Sequence, residues 1–328
     1  MESYDYELLI SSGEIDQKPA VIEPVVWTTA RKDAPGKLEF TVIKDNKLSF
    51  NEGAQVTFVV NKVPVFKGFV FQKTRDKEQH IKVVAYDQLR YFKYKNAYVF
   101  EKMKASDLLN RICNDFKLET GVIEDTGYVE PLVFFDNNTL FDMVQTMIDN
   151  TVLNTGELYC LYDDFGKINL RNTKNMVVNK LIRSDNAENF DYSSSIENTY
   201  NRVKIQAADT EQKGLSNIVV EEDKENIVKW GILQFFENWD KDLNEAEIKD
   251  KAKSILKLYN GVQRSLRVNG CEADVRIRAG FYVLFDYSIL GDLPSGEKYM
   301  MVDEAIHTFE NGKHTMDLTL RGGKDFYE

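Results

Sequence analysis

Alternation of apolar and polar residues, recurring near both ends of the chain, is the feature that most limits how it can fold. A two-residue period sends successive side chains to opposite faces of a strand. Leu38, Phe40 and Val42 point one way; Gln55 and Thr57 separate Ala54, Val56 and Phe58; Val65, Phe69 and Phe71 flank Gly68; Ile81, Val83 and Ala85 close the run. Pro35-Gly36, Asp45-Asn46 and Asn51-Glu52-Gly53 supply fixed or positive φ between these stretches. Residues 1–100 are therefore expected to form an antiparallel β-domain.

The last 65 residues read the same way and echo the first domain. Gly53-Ala54-Gln55-Val56-Thr57-Phe58 aligns with Gly280-Phe281-Tyr282-Val283-Leu284-Phe285 in its glycine and its outer apolar positions. Each is followed by a hairpin and then by a strand that a histidine introduces, His80 before Ile81-Lys82-Val83 and His314 before Thr315-Met316-Asp317-Leu318. The interval is 27 residues in the first copy and 34 in the second, so a longer loop around 286–298 absorbs the excess. Two readings fit: two meanders that only look alike, or one β-module carried twice around a mostly helical insert.

From about residue 104 the period becomes 3.6. Ser106 is placed to cap a helix bearing Leu108, Leu109, Ile112, Cys113 and Phe116, and Asn138 or Thr139 to cap another bearing Leu140, Phe141, Val144, Met147 and Ile148. Alternation returns at Leu158 to Tyr162, turns at Asp163-Asp164-Phe165-Gly166 and resumes at Lys167 to Leu170, the pattern of a hairpin. Residues 209–225 hold six acids against two lysines and read as a solvated loop. Asn244, with Glu247 three residues on, marks the start of a helix bearing Ile248, Ala252, Ile255, Leu256 and Tyr259, which Gly261 ends.

Composition bounds the function. A chain of 328 residues is expected to hold two to three domains. Its 42 basic against 53 acidic residues, a net −11, argue against a partner made of phosphate backbone. No stretch approaches 18 apolar residues and the N-terminus is acidic, so neither membrane insertion nor a signal peptide is expected, and the protein is expected in the cytoplasm. Cys113, Cys160 and Cys271 are odd in number and far apart, which suits buried thiols in a reducing compartment. Twenty Phe and 16 Tyr beside 6 Pro agree with a strand-rich chain.

Catalytic patterns are missing: the sequence has no G-x-x-x-x-G-K-[ST], H-E-x-x-H, C-x-x-C or G-x-S-x-G. Asp164-Phe165-Gly166 spells a kinase triplet but lies in a hairpin pattern without the accompanying motifs, and reads as a turn. His80, His307 and His314 with a carboxylate could make a metal site, His307 and His314 straddling a Glu310-Asn311-Gly312 turn; half-exposed strand histidines are the commoner outcome. Glu221-Glu222-Asp223 is a charge run, and no acid stands in a setting that resembles a glycosidase pocket. Asn137-Asn138-Thr139 fits a glycosylation sequon, but a helix start is the better reading.

Seven strings occur in an order that belongs together. They are Pro35-Gly36-Lys37-Leu38-Glu39-Phe40, Val65-Phe66-Lys67-Gly68-Phe69-Val70-Phe71, Tyr86-Asp87-Gln88-Leu89-Arg90-Tyr91, Tyr162-Asp163-Asp164-Phe165-Gly166-Lys167, Ile196 to Val203 with Tyr200-Asn201-Arg202-Val203, Trp230-Gly231-Ile232-Leu233-Gln234 and Val275-Arg276-Ile277-Arg278-Ala279-Gly280. On these the chain, from about residue 25 to its end, resembles the baseplate hub proteins of contractile phage tails, in the form found in PBSX-like defective prophages and phage-tail-like bacteriocins, relatives of the late control protein D group.

The resemblance implies an α+β, mainly β fold: two tail-tube-like antiparallel β-barrel modules with a helical and mixed insert between them. The corresponding domains are 1–100, a first barrel; 101–175, an insert with two helices and a hairpin; 176–262, connecting strands, acidic loop and capped helix; and 263–328, a second barrel completed by strands from about 190–206. It marks Gly36, Phe66, Gly68, Phe71, Asp87, Gln88, Leu89, Arg90, Tyr91, Asp164, Gly166, Tyr200, Asn201, Trp230, Gly231, Arg278 and Gly280 as structural barrel and interface positions. The implied function is a non-enzymatic homotrimer that adapts a sixfold tail tube to a threefold central spike. Its implied partners are the tail tube, central spike, baseplate wedge and tape-measure proteins, with no cofactor and no specific nucleic-acid binding. It would be assembled in the bacterial cytoplasm and carried in the baseplate of the released particle. Trp27, Trp230 and Trp239 are candidate interface anchors, with core packing the commoner fate of each. A tail-associated peptidoglycan hydrolase and a cell-wall carbohydrate-binding β-domain are the alternatives.

Overall fold

The computed structural model of the chain describes residues 4–13, 15–183, 186–208, 216–239, 245–286, 288 and 296–322. The fold is mainly β. The first stretch contains β1 (Tyr6–Ser12), β2 (Ile15–Gln17), β3 (Val21–Ala30), β4 (Lys37–Ile43), β5 (Gln55–Val60), β6 (Val63–Arg75) and β7 (His80–Tyr86). The middle contains β8 (Lys95–Met103), α1 (Ala105–Phe116), β9 (Thr120–Ile123), β10 (Glu130–Thr139), α2 (Leu140–Thr155), β11 (Tyr159–Asp163), β12 (Ile168–Asn172) and β13 (Val177–Ile182). There follow β14 (Asn189–Ser195), β15 (Arg202–Ala208), β16 (Ser216–Glu222), α3 (Lys224–Trp230), β17 (Gln234–Trp239) and α4 (Glu245–Tyr259). The chain closes with β18 (Gln263–Glu272), β19 (Tyr282–Asp286), β20 (Glu297–Glu310) and β21 (Lys313–Gly322).

The two ends of the chain repeat one pattern of pairing. The first module runs β3-β4-β7-β6-β5 and the second β14-β18-β21-β20-β19. In each, one long strand serves two neighbours: Phe69 of β6 lies opposite both Gln55 and Tyr86, and Met301 of β20 opposite both Tyr282 and Arg321. Each long strand then slips by one residue against its third strand, between Val70 and Gln72 in one copy and between Val302 and Glu304 in the other. The glycines aligned by sequence make the same bond, Gly53 N to Val70 O and Gly280 N to Val302 O, both at 2.8 Å. Both have a positive φ, +85° and +89°, which an L side chain rarely adopts. A shared bulge and a shared turn bond are register-specific features that two unrelated meanders would not reproduce. The copies differ at the far edge, where β1 joins β5 antiparallel and β13 joins β19 parallel.

The modules share one 13-stranded sheet, joined where β20 pairs with β3 from Glu304↔Ala30 to Phe309↔Val25. That junction explains why neither half closes into a barrel of its own among the described residues. The edge of β3 that would meet β1 is occupied by β20. The first sheet still curls far enough for the Tyr4 ring to reach Phe309, with centroids 5.4 Å apart.

Each module has its own core. Leu38, Phe40, Val42, Val56, Phe58, Val83 and Ala85 are buried in the first, and Leu266, Val268, Val283, Phe285, Leu318 and Leu320 in the second. Of the apolar residues flanking Gly68, Val65 is buried while Phe69 and Phe71 are only half-buried; Val70 takes the core, because the extra residue in β6 between Pro64 and Phe66 changes which side chains face in. A third core lies under α1, α2 and the β11–β12 hairpin, and α4 covers a small sheet ordered β16-β15-β17 with Ile248, Ala252 and Ile255.

Local expectations in the insert divide. Thr139 does cap α2, in a reciprocal capping box with Asp142. Ser106 does not cap α1: the helix begins one residue earlier, Lys104 is the cap residue, and Ser106 is buried in the first turn. The stretch 209–225 is not a loop throughout, since 216–222 form β16 and Asp223 caps α3; Glu222 pairs with Arg202 and Glu221 with Lys249. Of the strands expected at about 190–206, β14 pairs with β18, whereas β15 belongs to the small sheet. The expected cap Asn244 and the side chains of Glu247 and Trp239 lie outside the described residues.

Candidate functional site

Motif residues from Gly36 to Gly280 converge where β7, the β11–β12 hairpin and the segment before β19 meet. Asp87 follows β7 and accepts from Leu89 N at 3.0 Å, capping a short 3-10 helix over Gln88–Lys93. Its other oxygen accepts from Gly36 N at 2.8 Å. A Cβ on Gly36 would stand 2.3 Å from that oxygen, so only glycine leaves room for the bond. Gln88 spans the gap to the insert, accepting from Glu119 N at 3.0 Å and donating to Gly166 O.

Gly166 in turn donates its N–H to Asp163 Oδ1 at 2.7 Å, which locks the hairpin turn. Arg278 ties the second module to the same turn. Its guanidinium bonds Asp164 Oδ1 at 3.1 Å, donates to the Asp163 carbonyl, and lies over Tyr162 at 5.1 Å and Trp27 at 5.5 Å. Gly280 completes the contact: a Cβ there would lie 2.3 Å from Cys160 Sγ.

Two carboxylates are buried in this junction, Asp87 at 5% exposure and Asp163 at 3%. Burial, and then the negative charge of Asp163, push the Asp87 carboxyl well above the usual carboxylate range. Burial raises Asp163 to about 7 against the pull of Gly166 N–H and Arg278. Asp163 Oδ2 is buried and without a hydrogen-bond partner among the described residues, which is where a proton would reside. Covered on all sides, the pair is out of reach of a polymeric substrate. Chemically it acts as a clamp joining three segments of chain.

The other motif residues form two further groups. Arg90 lies over the rings of Phe71, Tyr94 and Tyr86 at 5.2, 5.7 and 5.9 Å, and Tyr91 packs beside Phe71. Phe66 and Leu89 are buried, and Gly68 passes so close to the Tyr86 carbonyl that it admits no side chain. In the small sheet Asn201 is fully buried, donating to Gly231 O at 2.7 Å and accepting from Leu233 N at 2.8 Å, while Tyr200 packs on Phe235 and Tyr259. Trp230 ends α3, half-buried, and Trp27 is core.

The histidines do not form one group. His307 and His314 meet across the β20–β21 hairpin at 2.9 Å, and His307 Nε2 lies 2.8 Å from Ile277 O. With Nε2–H donating to that carbonyl, His307 Nδ1 accepts from His314 Nε2, so the His307 ring is neutral. Burial depresses His307 to about 4 and His314 to about 3. His80 sits apart, against Asp76 and Glu78, in an exposed turn. All three cysteines are free and buried.

Asp163 and Tyr162 stand inside a quoted string but were not singled out by sequence, and Cys160 was read only as a buried thiol. Their role depends on burial by segments more than a hundred residues away, toward which Asp87, Gln88, Asp164, Gly166, Arg278 and Gly280 pointed. Sequence also gave no sign of a cavity of about 310 Å³ beside β14, bordered by Arg31, Ser193, Ser195, Tyr259 and Arg264.

A protein family described as YQBQ-like matches residues 25–321. The chain is 29% identical over 305 residues to the phage-like element PBSX protein XkdQ of Bacillus subtilis, covering 91% of each. Its fold is similar to the 43 kDa tail protein of prophage MuSo2 from Shewanella oneidensis, with a TM-score of 0.69 at 12% identity over 96% of this chain and 98% of the other. It is also similar to the E. coli c3393 protein, a type VI secretion component described as structurally similar to T4 tail proteins gp27 and gp5, with a TM-score of 0.58 at 7% identity over 98% and 77%.

Proposed function

Because the chain belongs to the YQBQ-like family and shares its fold with prophage tail proteins, we propose that it is the baseplate hub of a contractile tail, a homotrimer that adapts a sixfold tube to a threefold spike. The observation that carries this reading is the repeat within one sheet. Two modules with the same strand order, bulge and turn bond give a threefold assembly six nearly equivalent units, which a hexameric tube can continue. Each module would serve as one tail-tube-like barrel unit, its wall shared with neighbours.

The clamp at Asp87, Asp163 and Arg278 fits this role, since a subunit under axial load gains from fixing its two modules and its insert to one another. The ribbon of β8 and β10 presents Val99, Leu132 and Phe134 at 61%, 56% and 68% exposure, an apolar face suited to a wedge or sheath-side neighbour. The spike, tube, wedge and tape-measure proteins are the partners of this reading, and its site of action is the baseplate. No catalytic activity belongs to it.

Light scattering on the purified protein, alone and co-expressed with its spike, tests the assembly. The expected mass is about 114 kDa, three times the 37.9 kDa chain. A monomer under both conditions contradicts it. Incubation with purified cell walls should leave their turbidity unchanged; lysis lost on replacing one carboxylate would establish the hydrolase instead.

A further inference from the structure

Two strand edges lack a partner among the described residues, and the internal repeat identifies what belongs on each. In the second module, the stretch of β20 from Glu304 onward has β21 on one side and β3 of the first module on the other, with Glu304 opposite Ala30 and Ile306 opposite Thr28. The corresponding stretch of β6 has β7 on one side and no strand on the other, because β5 leaves it at Phe69. The counterpart of β3 is β14, which pairs with β18 alone and ends the sheet. One copy thus carries both halves of the β20–β3 joint a second time, unmade. Along the sheet these halves are seven strand spacings apart, roughly 34 Å at about 4.8 Å each, so one chain does not join them to each other.

We infer that β6 of one copy pairs antiparallel with β14 of the next, repeating between copies the joint that β20 and β3 make within a copy. The register follows from the hydrogen-bond pattern. Phe69 corresponds to Met301 and both long strands slip by one residue just beyond, so Gln72 corresponds to Glu304 and Thr74 to Ile306. Thr28 lies opposite Lys37 and Ser193 opposite Ser265, at equivalent places in the two sheets, so Ser193 corresponds to Thr28 and Ser195 to Ala30. The pairing therefore sets Thr74 opposite Ser193 and Gln72 opposite Ser195 of the next copy.

All four residues are exposed, and β14 ends in three serines with neither proline nor lysine to repel a neighbouring strand. Main-chain bonds of this kind attach without requiring particular side chains, as in strand addition to any open edge. This inference rests on the trimeric reading: three such joints, alternating with the three internal ones, close a ring of six modules.

Disulfide trapping tests it. The pairs Thr74→Cys with Ser193→Cys, and Gln72→Cys with Ser195→Cys, are placed in the otherwise intact chain, whose own cysteines are buried. After mild oxidation of protein co-expressed with its spike, each pair should give covalent species of two and three chains and none larger. Thr74→Cys with Ser194→Cys, a one-residue slip that turns the side chains to opposite faces, should cross-link at least ten-fold less. A trimer by light scattering in which neither pair cross-links, or in which the slipped pair does so equally, overturns the pairing and leaves the hub reading intact. Ladders running beyond three chains overturn ring closure, and a protein that stays monomeric with and without the spike overturns both.

Discussion

Asp163 and Asp87 decide how the module junction responds to pH. A carboxyl whose folded-state pKa lies above its unfolded value favours folding while protonated, so its contribution is full below about 4 and fades as pH rises through the folded value. For Asp163 that window runs up to about 7, and Asp87 acts in the same direction. His307 and His314 act in the opposite sense: their depressed values give stability above about 6.5 that is lost toward about 4 and 3. The difference between a variant and its parent at each pH removes the histidine contribution. Asp163→Asn should therefore be more stable than the parent at pH 8 by on the order of 1–3 kcal/mol, with the gain shrinking toward pH 5, read by thermal unfolding across that range. Equal gains at every pH would show that Asp163 does not titrate there. Gly280→Ala should cost about 2–4 kcal/mol through its positive φ and its clash with Cys160 Sγ, and adding Cys160→Ala should restore only the part due to the clash. Gly36, Gly166 and Arg278 were legible as residues that mattered, because they stand in fixed strings. What they touch was not, since Gly36 meets Asp87 from 51 residues along the chain and Gly166 and Arg278 meet partners brought from another module.

At the scale of elements, caps and hairpins were legible and pairings across long inserts were not. Thr139, with Asp142 three residues on, carries its signal locally, and Thr139→Ala should lower stability by about 1 kcal/mol. Ser106→Ala should cost less than half of that, since the hydroxyl lies inside the first turn and caps nothing. Denaturant unfolding of the two variants side by side checks the contrast, and equal losses would contradict it. The β11–β12 hairpin, α2 and α4 announce themselves by period and turn chemistry. The small sheet did not, because β15 and β17 run parallel and are joined through β16 and α3; the acids around β16 drew the reading of a loop and masked its Ile218-Val219-Val220 run. Phe69 and Phe71 continue the alternation from Val65 yet are half-buried for a related reason: a bulge at Val65 inverts the alternation, and the residues of β6 do not announce where it falls.

For the whole molecule the central feature is the repetition of one strand order, visible in the sequence only as two glycines, a few outer apolar positions and two histidines. Separate barrels were expected, and one continuous sheet was found, because β20 crosses from its own module to pair with β3. That crossing turns two similar modules into consecutive segments of one wall, and it leaves β6 and β14 as the edges at which the next copy would continue it. Most of the chain's net charge of −11 then need not serve an electrostatic partner; an acidic wall around a channel would let nucleic acid or a polypeptide pass without adhering. The most direct test is electron cryomicroscopy of the intact tail reconstructed without imposed symmetry at the junction of tube and spike. Three copies of this chain, presenting six alternating modules to the last tube ring and one threefold face to the spike, is the predicted result. Six copies at that level, or a position away from the tube axis, would contradict it.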